Sequence, residues 1–440
     1  MDILQNYKPA AGLPKRLSID YCCNVLLLIY IFTMPFVSAF SFTGTISLPL
    51  VCAAFLFILM IVKMLQTGKL PRDFLGADIL VILFFLFFDV LSFTINGWGN
   101  STSFNHTVAY ISTFLLFYIA IKFTLFSIPD KELLFRRTLQ FITYTTLLSA
   151  VYGNVEFISN NAFGFNLNDY IPRPGLDAEH YSPIVLSLFY RVRGFAYESG
   201  VYTQMLELLA PLTIYYLYFS GYCKWIKGLK IFFTIAIVLS IIFAASSATF
   251  VEVPIAIVFS FLLFIKKIFR FFTHKSIFYY VKIFMVIIVL FIVNNYLSLY
   301  TSVLLSITEK LDSYSMEDRQ SRVNFFYSEF SRFSLLKKTI GAGPAATDLL
   351  GVDGGHVVVS LFYNVTFELG FIGLFLLISL ISYIFLNTIS IKTKIGFFLT
   401  ISIVSGIIHY YVIHDFWVPW FWFVGAFSIF YIKRIERKPS

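Results

Sequence analysis

Charged residues are scarce in this chain of 440 residues: Asp, Glu, Lys and Arg together make up 13% of it. Soluble domains average roughly 25%. Hydrophobic residues make up 58%, and Phe alone contributes 54 residues. A soluble core cannot hide that much apolar surface, so most of it must face lipid. The composition excludes an ordinary soluble enzyme and predicts an all-α polytopic membrane protein, because helices satisfy their own backbone hydrogen bonds in lipid.

Cysteine is also scarce, and its placement argues against disulfides and zinc. Cys22, Cys23, Cys52 and Cys223 all fall in or beside apolar runs, with no metal-ligand spacing. The N-terminal segment lacks the shape of a secretory signal, since a polar lead precedes the first apolar run, which begins near Tyr21. We therefore expect that run to remain as the first spanning helix.

Apolar runs of about 20 residues are long enough to cross a bilayer as helices. About twelve occur, and they predict one continuous transmembrane bundle over residues 1–440. The run 357–386 is unusually long, as expected for a tilted helix or one whose first turn stands outside the membrane. The predicted spans are 21–40, 45–64, 77–95, 107–127, 133–152, 201–220, 229–245, 249–265, 279–298, 357–386, 395–411 and 416–432.

The basic residues predict the orientation of this bundle. With the N-terminus in the cytoplasm, 24 of the 33 Lys and Arg fall at the cytoplasmic side, as the positive-inside rule requires. Both termini are then cytoplasmic. The net charge of +9 is explained by topology, so no nucleic-acid partner is expected. The other nine basic residues lie in two long loops, 153–200 and 299–356, predicted to face the opposite side.

The first long loop, 153–200, ends in the sequence RVRGFAYESG directly before an apolar run. Arg191 and Arg193 share one face only if the segment is extended, because residues i and i+2 diverge on a helix. Glu198 is placed to orient one of these guanidinium groups. The same loop is rich in Asn, Pro and aromatic residues, which suit sugar rings but are equally typical of a membrane-interface belt.

The second long loop, 299–356, contains the sequence SMEDRQSRVNFFYSEFSRF. The spacing of Ser315 and Asp318 fits a capping box and predicts a short helix. On it Arg319, Arg322 and Phe326 share one face. The following GAGPAATDLLGVDGGH is too rich in Gly to be helical, and it is no P-loop because no Gly-Lys-Ser/Thr follows.

Two further groups of ionisable residues are candidates for a function. Charged residues inside apolar runs are functional candidates by default because each is costly in lipid; they are Asp89, Glu207, Glu252 and Glu368. A proton relay through them is an open alternative, although the sequence shows no chain of partners. His409, His414 and Asp415 cluster at the end of a predicted helix and are more typical of helix caps.

We expect Arg191 or Arg193 of the first long loop to form a joint anion site with Arg322 of the second.

The order of these motifs resembles the Wzy-type O-antigen polymerases and the related O-antigen ligases. The first loop carries an arginine, Gly194-Phe195 and Glu198-Ser199 before a helix. The second carries an arginine-bearing helix, the turn 341–343 of Gly-Ala-Gly, His356 entering a helix, and the Gly-Phe-Ile-Gly of 370–373. The chain departs from the family by having Ser199 where many relatives have Pro, and Val357 where ligases often have Asn.

The resemblance implies a GT-C-like membrane glycosyltransferase in the bacterial inner membrane, with its active site facing the periplasm. The growing glycan would leave undecaprenyl diphosphate and join the terminal sugar of a new lipid-linked unit. The implied roles are diphosphate binding by Arg191, Arg193, Arg319 and Arg322, acceptor activation by His356 or alternatively Glu198, and sugar contacts by Tyr181, Tyr190 and Tyr197. Arginine would replace a divalent ion, so no metal or other cofactor is expected.

The implied partners are a lipid-linked oligosaccharide, membrane lipid and a polysaccharide chain-length regulator. Two other functions stay open. An O-antigen ligase would use the same donor and pass the glycan to lipid A–core. A transporter or flippase would instead place its binding residues near the bilayer midplane on broken helices.

Overall fold

The computed structural model describes residues 18–44, 46–174, 184–186, 189–271, 314–349 and 360–436. The predicted span 279–298 lies outside these residues, as do Tyr181 and His356. Helices dominate the described chain. The fourteen helices that we label there are α1 Ile19–Thr33, α2 Leu48–Thr67, α3 Ala77–Gly97, α4 Ser101–Ser127, α5 Lys131–Ala162, α6 Ser199–Tyr218, α7 Lys227–Ala244, α8 Ser247–Phe271, α9 Tyr314–Arg332, α10 Leu335–Ile340, α11 Ala346–Leu349, α12 Leu361–Ser390, α13 Lys394–Val412 and α14 Trp420–Tyr431.

Six of the described helices are long and apolar enough to cross a membrane, which confirms an α-helical membrane protein: α2, α3, α4, α7, α12 and α13. Shorter apolar stretches occur at Ile19–Thr33 and Glu252–Phe264. Large apolar side chains point outward from several helices, for example Phe55, Phe87 and Leu262, as expected for contact with lipid. The count of twelve spans stays a prediction.

The secondary structure differs from the sequence-based predictions in three places. Helix α5 continues to Ala162 and so takes the first part of the predicted loop 153–200. The capping-box prediction is wrong in register, because α9 begins at Tyr314 and Ser315 already lies in its first turn. Part of the Gly-rich segment is helical after all, in α11, where the sequence Ala-Thr-Asp-Leu contains no Gly to disfavour a helical turn.

A small hairpin interrupts the helical pattern in the first long loop. Strands β1, Ile184–Leu186, and β2, Phe189–Arg191, pair antiparallel, with Ile184 opposite Arg191. The backbone N–H of Val192 then donates to the carbonyl of Phe243 in α7, at 3.2 Å. The hairpin therefore places Arg191 at the end of an extended strand, and the Val192 hydrogen bond ties the start of RVRG to a neighbouring helix.

Helix α14 lies at the centre of the bundle. Every residue from Trp420 to Tyr431 is buried, and a helix that is apolar on all sides belongs inside a protein or membrane bundle. The indole N–H of Trp420 donates to the carbonyl of Met34, at 2.9 Å. The indole N–H of Trp422 donates to the carbonyl of Phe416, at 2.7 Å. The polar edges of both rings are thus satisfied although the rings are buried.

The bundle has two ends, each defined by contacts between connecting segments. At one, Lys63 at the end of α2 forms an ion pair with Asp20 at the start of α1. At the other, the backbone N–H of Ala39 donates to the carbonyl of Phe195, at 3.1 Å. We call these the basic end and the RVRG end. The candidate site lies at the RVRG end.

Candidate functional site

A buried carboxylate, Glu156 of α5, holds the RVRG turn in place. Its Oε2 accepts the backbone N–H of Gly194 at 2.8 Å, and its Oε1 accepts the backbone N–H of Arg193 at 3.4 Å and the side-chain amide of Asn168 at 3.0 Å. The side chain is 1% exposed. Glu156 therefore fixes the turn through its backbone, which leaves the arginine side chains to be oriented separately.

A buried arginine, Arg173, supports the same turn from the other side. Its guanidinium donates to the carbonyl of Gly194 and to the Oδ1 of Asn168, each at 2.8 Å, and also to the carbonyl of Ala196. Sequence reasoning did not single out Glu156 or Arg173. Arg173 was recognisable only as one of three basic residues in the loop, and Glu156 was hidden because the helix was expected to end at residue 152.

The two arginines of RVRG lie in different surroundings. Arg191 is half-buried at the end of β2, and its Nε donates to the carbonyl of Ala244, at 2.9 Å. Arg193 is 1% exposed and shares the neighbourhood of Glu156 with Arg173. Of the two, Arg191 is therefore the one within reach of a ligand outside the bundle.

The Gly194-Phe195 step is shaped by close packing. Gly194 has a φ of 57°, and a Cβ built there would lie 2.4 Å from the ring of Tyr202. Only Gly fits such a position without strain. Phe195 then stacks on Tyr152, with ring centroids 4.3 Å apart, and packs on Phe36 at 4.8 Å. This step turns the chain back into the bundle.

Glu198 does not take the place expected for it. Its side chain is exposed, and it stands at the N-terminal boundary of α6. The carboxylate beside Arg193 is Glu156 instead, which also lies near Arg173. The expected pairing failed because the turn at Gly194 lies between Arg193 and Glu198, and the chain changes direction there.

Tyr197, a predicted sugar contact, joins the RVRG turn to the segment 413–419. Its hydroxyl donates to the Oδ2 of Asp415 at 2.5 Å. Burial, together with the nearby Asp415 carboxylate, raises the pKa of this hydroxyl well above its ordinary value. It therefore stays protonated and remains a hydrogen-bond donor. Tyr190, by contrast, is 37% exposed, and its backbone pairs with the side chain of Asn161.

The segment 413–419 continues the connection through aromatic rings. Phe416 stacks on Tyr110 of α4, with centroids 4.1 Å apart and planes 12° apart. His106 presents its edge to both Phe416, at 5.6 Å, and Trp417, at 6.4 Å. The RVRG turn is thus linked through one short segment to the start of α4.

Glu368 of α12 lies at the far side of this connection and is fully buried. Its Oε2 accepts the hydroxyl of Tyr110 at 2.7 Å, and its Oε1 accepts the backbone N–H of Ala345 at 3.0 Å. The Nδ1 of His106 lies 3.1 Å from the same Oε1. Ala345 belongs to the Gly-rich segment of the second predicted loop. The two long loops therefore meet indirectly at one end of the bundle.

The Gly-Ala-Gly turn docks onto a break in α12. Gly370 has a φ of 66° and a ψ of −166°, which interrupts the helix. The carbonyls of Phe367 and Glu368, left without their usual helical donors, accept the backbone N–H groups of Ala342 at 2.9 Å and Gly343 at 3.1 Å. Two glycine motifs that are far apart in the sequence therefore form one packed unit.

The remaining predicted residues are placed only in part. Arg322 is half-buried on α9, one turn before Phe326, which stacks on Tyr363 with centroids 4.6 Å apart. Arg319 lies on the same helix, but its side chain is outside the described atoms. No contact between Arg322 and Arg191 or Arg193 is seen in the described residues, so their joint anion site stays a prediction. So do the roles of His356 and Tyr181, which lie outside that part of the chain.

No protein-family model and no curated protein matches this chain.

Proposed function

We propose that this protein polymerises lipid-linked polysaccharide repeat units, of the O-antigen kind, at the periplasmic face of a bacterial inner membrane. One observation carries the proposal. The RVRG turn is connected to the Gly-rich turn at one end of the helical bundle. The connection runs from Tyr197 to Asp415, through the segment 413–419 to His106, and from there to Glu368. In this proposal the diphosphate of a lipid-linked donor binds at the RVRG end, where the two long loops meet. Its lipid tail lies between the helices.

Arginine supplies the electrostatic part of the proposed reaction. As the glycosidic bond breaks, negative charge accumulates on the diphosphate leaving group. Guanidinium groups remain charged and grip phosphate oxygens in pairs, and they stabilise that charge most where water is excluded. The partial exposure of Arg191 and Arg322 supports them as the phosphate ligands. The burial of Arg193 supports a longer-range electrostatic role for it, with Glu156 and Arg173 setting the backbone beneath.

The acceptor sugar then attacks the anomeric carbon as its hydroxyl loses a proton. We assign this proton to His356, because imidazole titrates near neutral pH. Glu198, exposed at the start of α6, is the alternative proton acceptor. Tyr197 and Tyr190 would line the approach of the sugars, and a chain-length regulator would act on the same face. No cofactor is required by this scheme.

The polymerase proposal is tested by the lipopolysaccharide banding pattern of a deletion strain complemented with single variants. Arg191→Ala and Arg322→Ala are expected to collapse the ladder of long chains to a single repeat unit. Arg332→Ala serves as the matched control and should restore the full ladder. Arg332 is another arginine of α9, and its guanidinium pairs with the neighbouring Glu329 at 2.7 Å. A normal ladder from both Arg191→Ala and Arg322→Ala would count against the proposal.

The same deletion strain separates the two related enzymatic functions. Loss of a polymerase leaves lipid A–core capped with one repeat unit. Loss of a ligase leaves uncapped core and an accumulation of polymer on its lipid carrier. The second pattern would move the assignment to an O-antigen ligase without changing the proposed donor.

One feature favours the transporter alternative. Helix α12 is broken at Gly370, next to the buried carboxylates Glu368 and Asp89, and broken helices with buried charges are typical of transporter binding sites. In this protein the freed carbonyls are bound by the Gly-Ala-Gly turn. A flippase would leave lipid-linked units on the cytoplasmic leaflet of the deletion strain, and labelling of lipid-linked sugars from the periplasmic side distinguishes that outcome.

A further inference from the structure

Three buried ionisable side chains from three helices meet inside the bundle, apart from the site described above. They are Glu207 of α6, Glu252 of α8 and His409 of α13, which are 2%, 1% and 0% exposed. The Nδ1 of His409 lies 2.8 Å from the Oε2 of Glu252 and 3.3 Å from the Oε2 of Glu207. We call this group the Glu-Glu-His cluster.

The separations between donor atoms fit a coordination sphere. Metal ions such as Zn²⁺ bind nitrogen and carboxylate oxygen at about 2.1 Å, which sets neighbouring donors about 3.0 Å apart in octahedral and about 3.4 Å apart in tetrahedral geometry. The 3.3 Å separation from Glu207 falls within that range. The 2.8 Å separation from Glu252 is a hydrogen-bond length and needs to widen only slightly to reach it. One donor atom from each of the three residues lies within 4.8 Å of the other two. The three donors are therefore close enough for one ion to be bound by all of them once the side chains adjust slightly around it.

Charge balance favours a divalent ion here. Two ionised carboxylates buried side by side are costly because they repel each other and have lost their water. A divalent cation bound by both carboxylates and a neutral imidazole makes the cluster electrically neutral. The Oε1 of Glu252 is buried without a hydrogen-bond partner among the described residues, which leaves it available for a second bond to the same ion. The hydroxyl of Thr249 lies beside the Glu207 carboxylate.

Nearby polar side chains can complete the coordination. Gln204 precedes Glu207 by three residues on α6, and Ser405 precedes His409 by four on α13, so each shares a helix face with a member of the cluster. Both are buried, and the polar atoms of their side chains have no hydrogen-bond partner in the described chain. Four polar side chains without a complete set of partners therefore lie close to one another in this part of the bundle.

We propose that Glu207, Glu252 and His409 bind one divalent transition-metal ion of the Zn²⁺ or Mn²⁺ class. Two carboxylates and one imidazole are suited to such ions. The sequence-based expectation that no metal is needed rested on the loops, and this cluster lies in the helices. The ion joins α6, α8 and α13. Helix α6 begins at Ser199, five residues after the RVRG turn ends at Gly194, and α13 leads into the segment 413–419. The ion therefore fixes the two helices that flank the contact between Tyr197 and Asp415.

Metal analysis of the full-length protein tests this inference. The wild-type protein, purified in detergent and desalted without chelator, should hold about one divalent ion per chain by mass spectrometry of the elements. Glu207→Gln, Glu252→Gln and His409→Asn should each reduce that content at least about tenfold, as loss of a ligand does. His414→Asn, at a histidine outside the cluster, and Asp89→Asn, at a buried carboxylate elsewhere, are matched controls that should keep the ion.

A titration with Co²⁺ covers the case in which a variant fails to fold. Wild-type protein stripped with a chelator should bind Co²⁺ with a stoichiometry of one and develop visible absorption bands, and its melting temperature should rise on addition of Zn²⁺ or Mn²⁺. Glu252→Gln should show neither change. If wild-type protein contains no ion as purified and binds no Co²⁺, the cluster holds a proton instead of a metal and the inference is refuted. Ion content that survives all three substitutions refutes it equally.

Discussion

Gly341 and Gly370 pack backbone against backbone. A Cβ at Gly341 would lie 1.9 Å from the carbonyl oxygen of Glu368, and one at Gly370 would lie 2.4 Å from the carbonyl of Thr339. Both glycines also have φ values in the left-handed half of conformational space, 87° and 66°. The close approach lets the Gly-Ala-Gly turn supply hydrogen bonds to the break in α12.

Replacement of either glycine should therefore destabilise the protein strongly. Gly370→Ala is expected to cost at least about 2 kcal/mol, because it adds a steric clash to a backbone conformation that is strained for any other residue. A detergent melting curve measures the effect. Gly228→Ala is the matched control, since nothing lies within 4 Å of the Cβ it would add. Equal melting temperatures for Gly370→Ala and Gly228→Ala would contradict the observed packing.

The Glu156 carboxylate should matter for the RVRG turn. Glu156→Gln replaces one of the two carboxylate oxygens by an amide NH2, so a buried backbone N–H of the turn loses its acceptor, which costs about 1–3 kcal/mol. We expect a lower melting temperature and a shortened polysaccharide ladder. Glu198→Gln is the control for stability, because that side chain is exposed. A larger fall in melting temperature for Glu198→Gln than for Glu156→Gln would reverse the roles given to these two residues.

Tyr197 and Asp415 should be energetically coupled. In a double-mutant cycle, Tyr197→Phe and Asp415→Asn should each destabilise the protein, while the double variant loses less than the sum of the two. The expected coupling is about 1–2 kcal/mol, typical of a hydrogen bond to a charged group. Tyr190→Phe combined with Asp415→Asn provides the control cycle and should be additive. Additivity of the Tyr197 cycle as well would show that the bond does not contribute to stability.

A buried ion pair nearer the basic end offers a test that separates stability from function. The Nζ of Lys122 lies 2.6 Å from the Oδ2 of Asp78, and both side chains are fully buried. Lys122→Met leaves that carboxylate without its cation and should cost about 3–5 kcal/mol. The amount of protein in the membrane should fall, while the chain-length distribution made by the remaining protein stays normal. Lys224→Met, at a connecting segment, should change neither quantity.

The sequence was sufficient to predict the class of fold because lipid exposure imposes a simple pattern on it. A helix occurs at each of the predicted spans that the described residues cover, including α12 and α14. The sequence also marked four charged residues inside apolar runs as functional candidates, and all four are buried: Glu207, Glu252, Glu368 and Asp89. Their functions stay predictions. Their cost in an apolar surrounding made them visible without knowledge of their partners.

The partners themselves could not be read from the sequence. Glu156 supports a turn 38 residues away, and Glu368 accepts a hydrogen bond from the hydroxyl of Tyr110, 258 residues away. Such pairs depend on which helices are neighbours, and the apolar pattern does not encode neighbours. Glu198 is the carboxylate that the sequence suggests, because it is close to the arginines along the chain, and nothing in the sequence points to Glu156. The positive φ at Gly194, which separates them in space, has no reliable signature in one sequence.

The central position of α14 has a consequence for how the bundle is built. This helix follows α1 to α13 in the chain, so a ribosome makes the surrounding helices before it makes the one that they enclose. Before α14 is made, the surfaces of the neighbouring helices that later contact Trp420 and Trp422 have nothing to pack against. The helices around α14 therefore complete their packing only at the end of synthesis. A chain that stops before residue 420 would lack the central helix against which they pack.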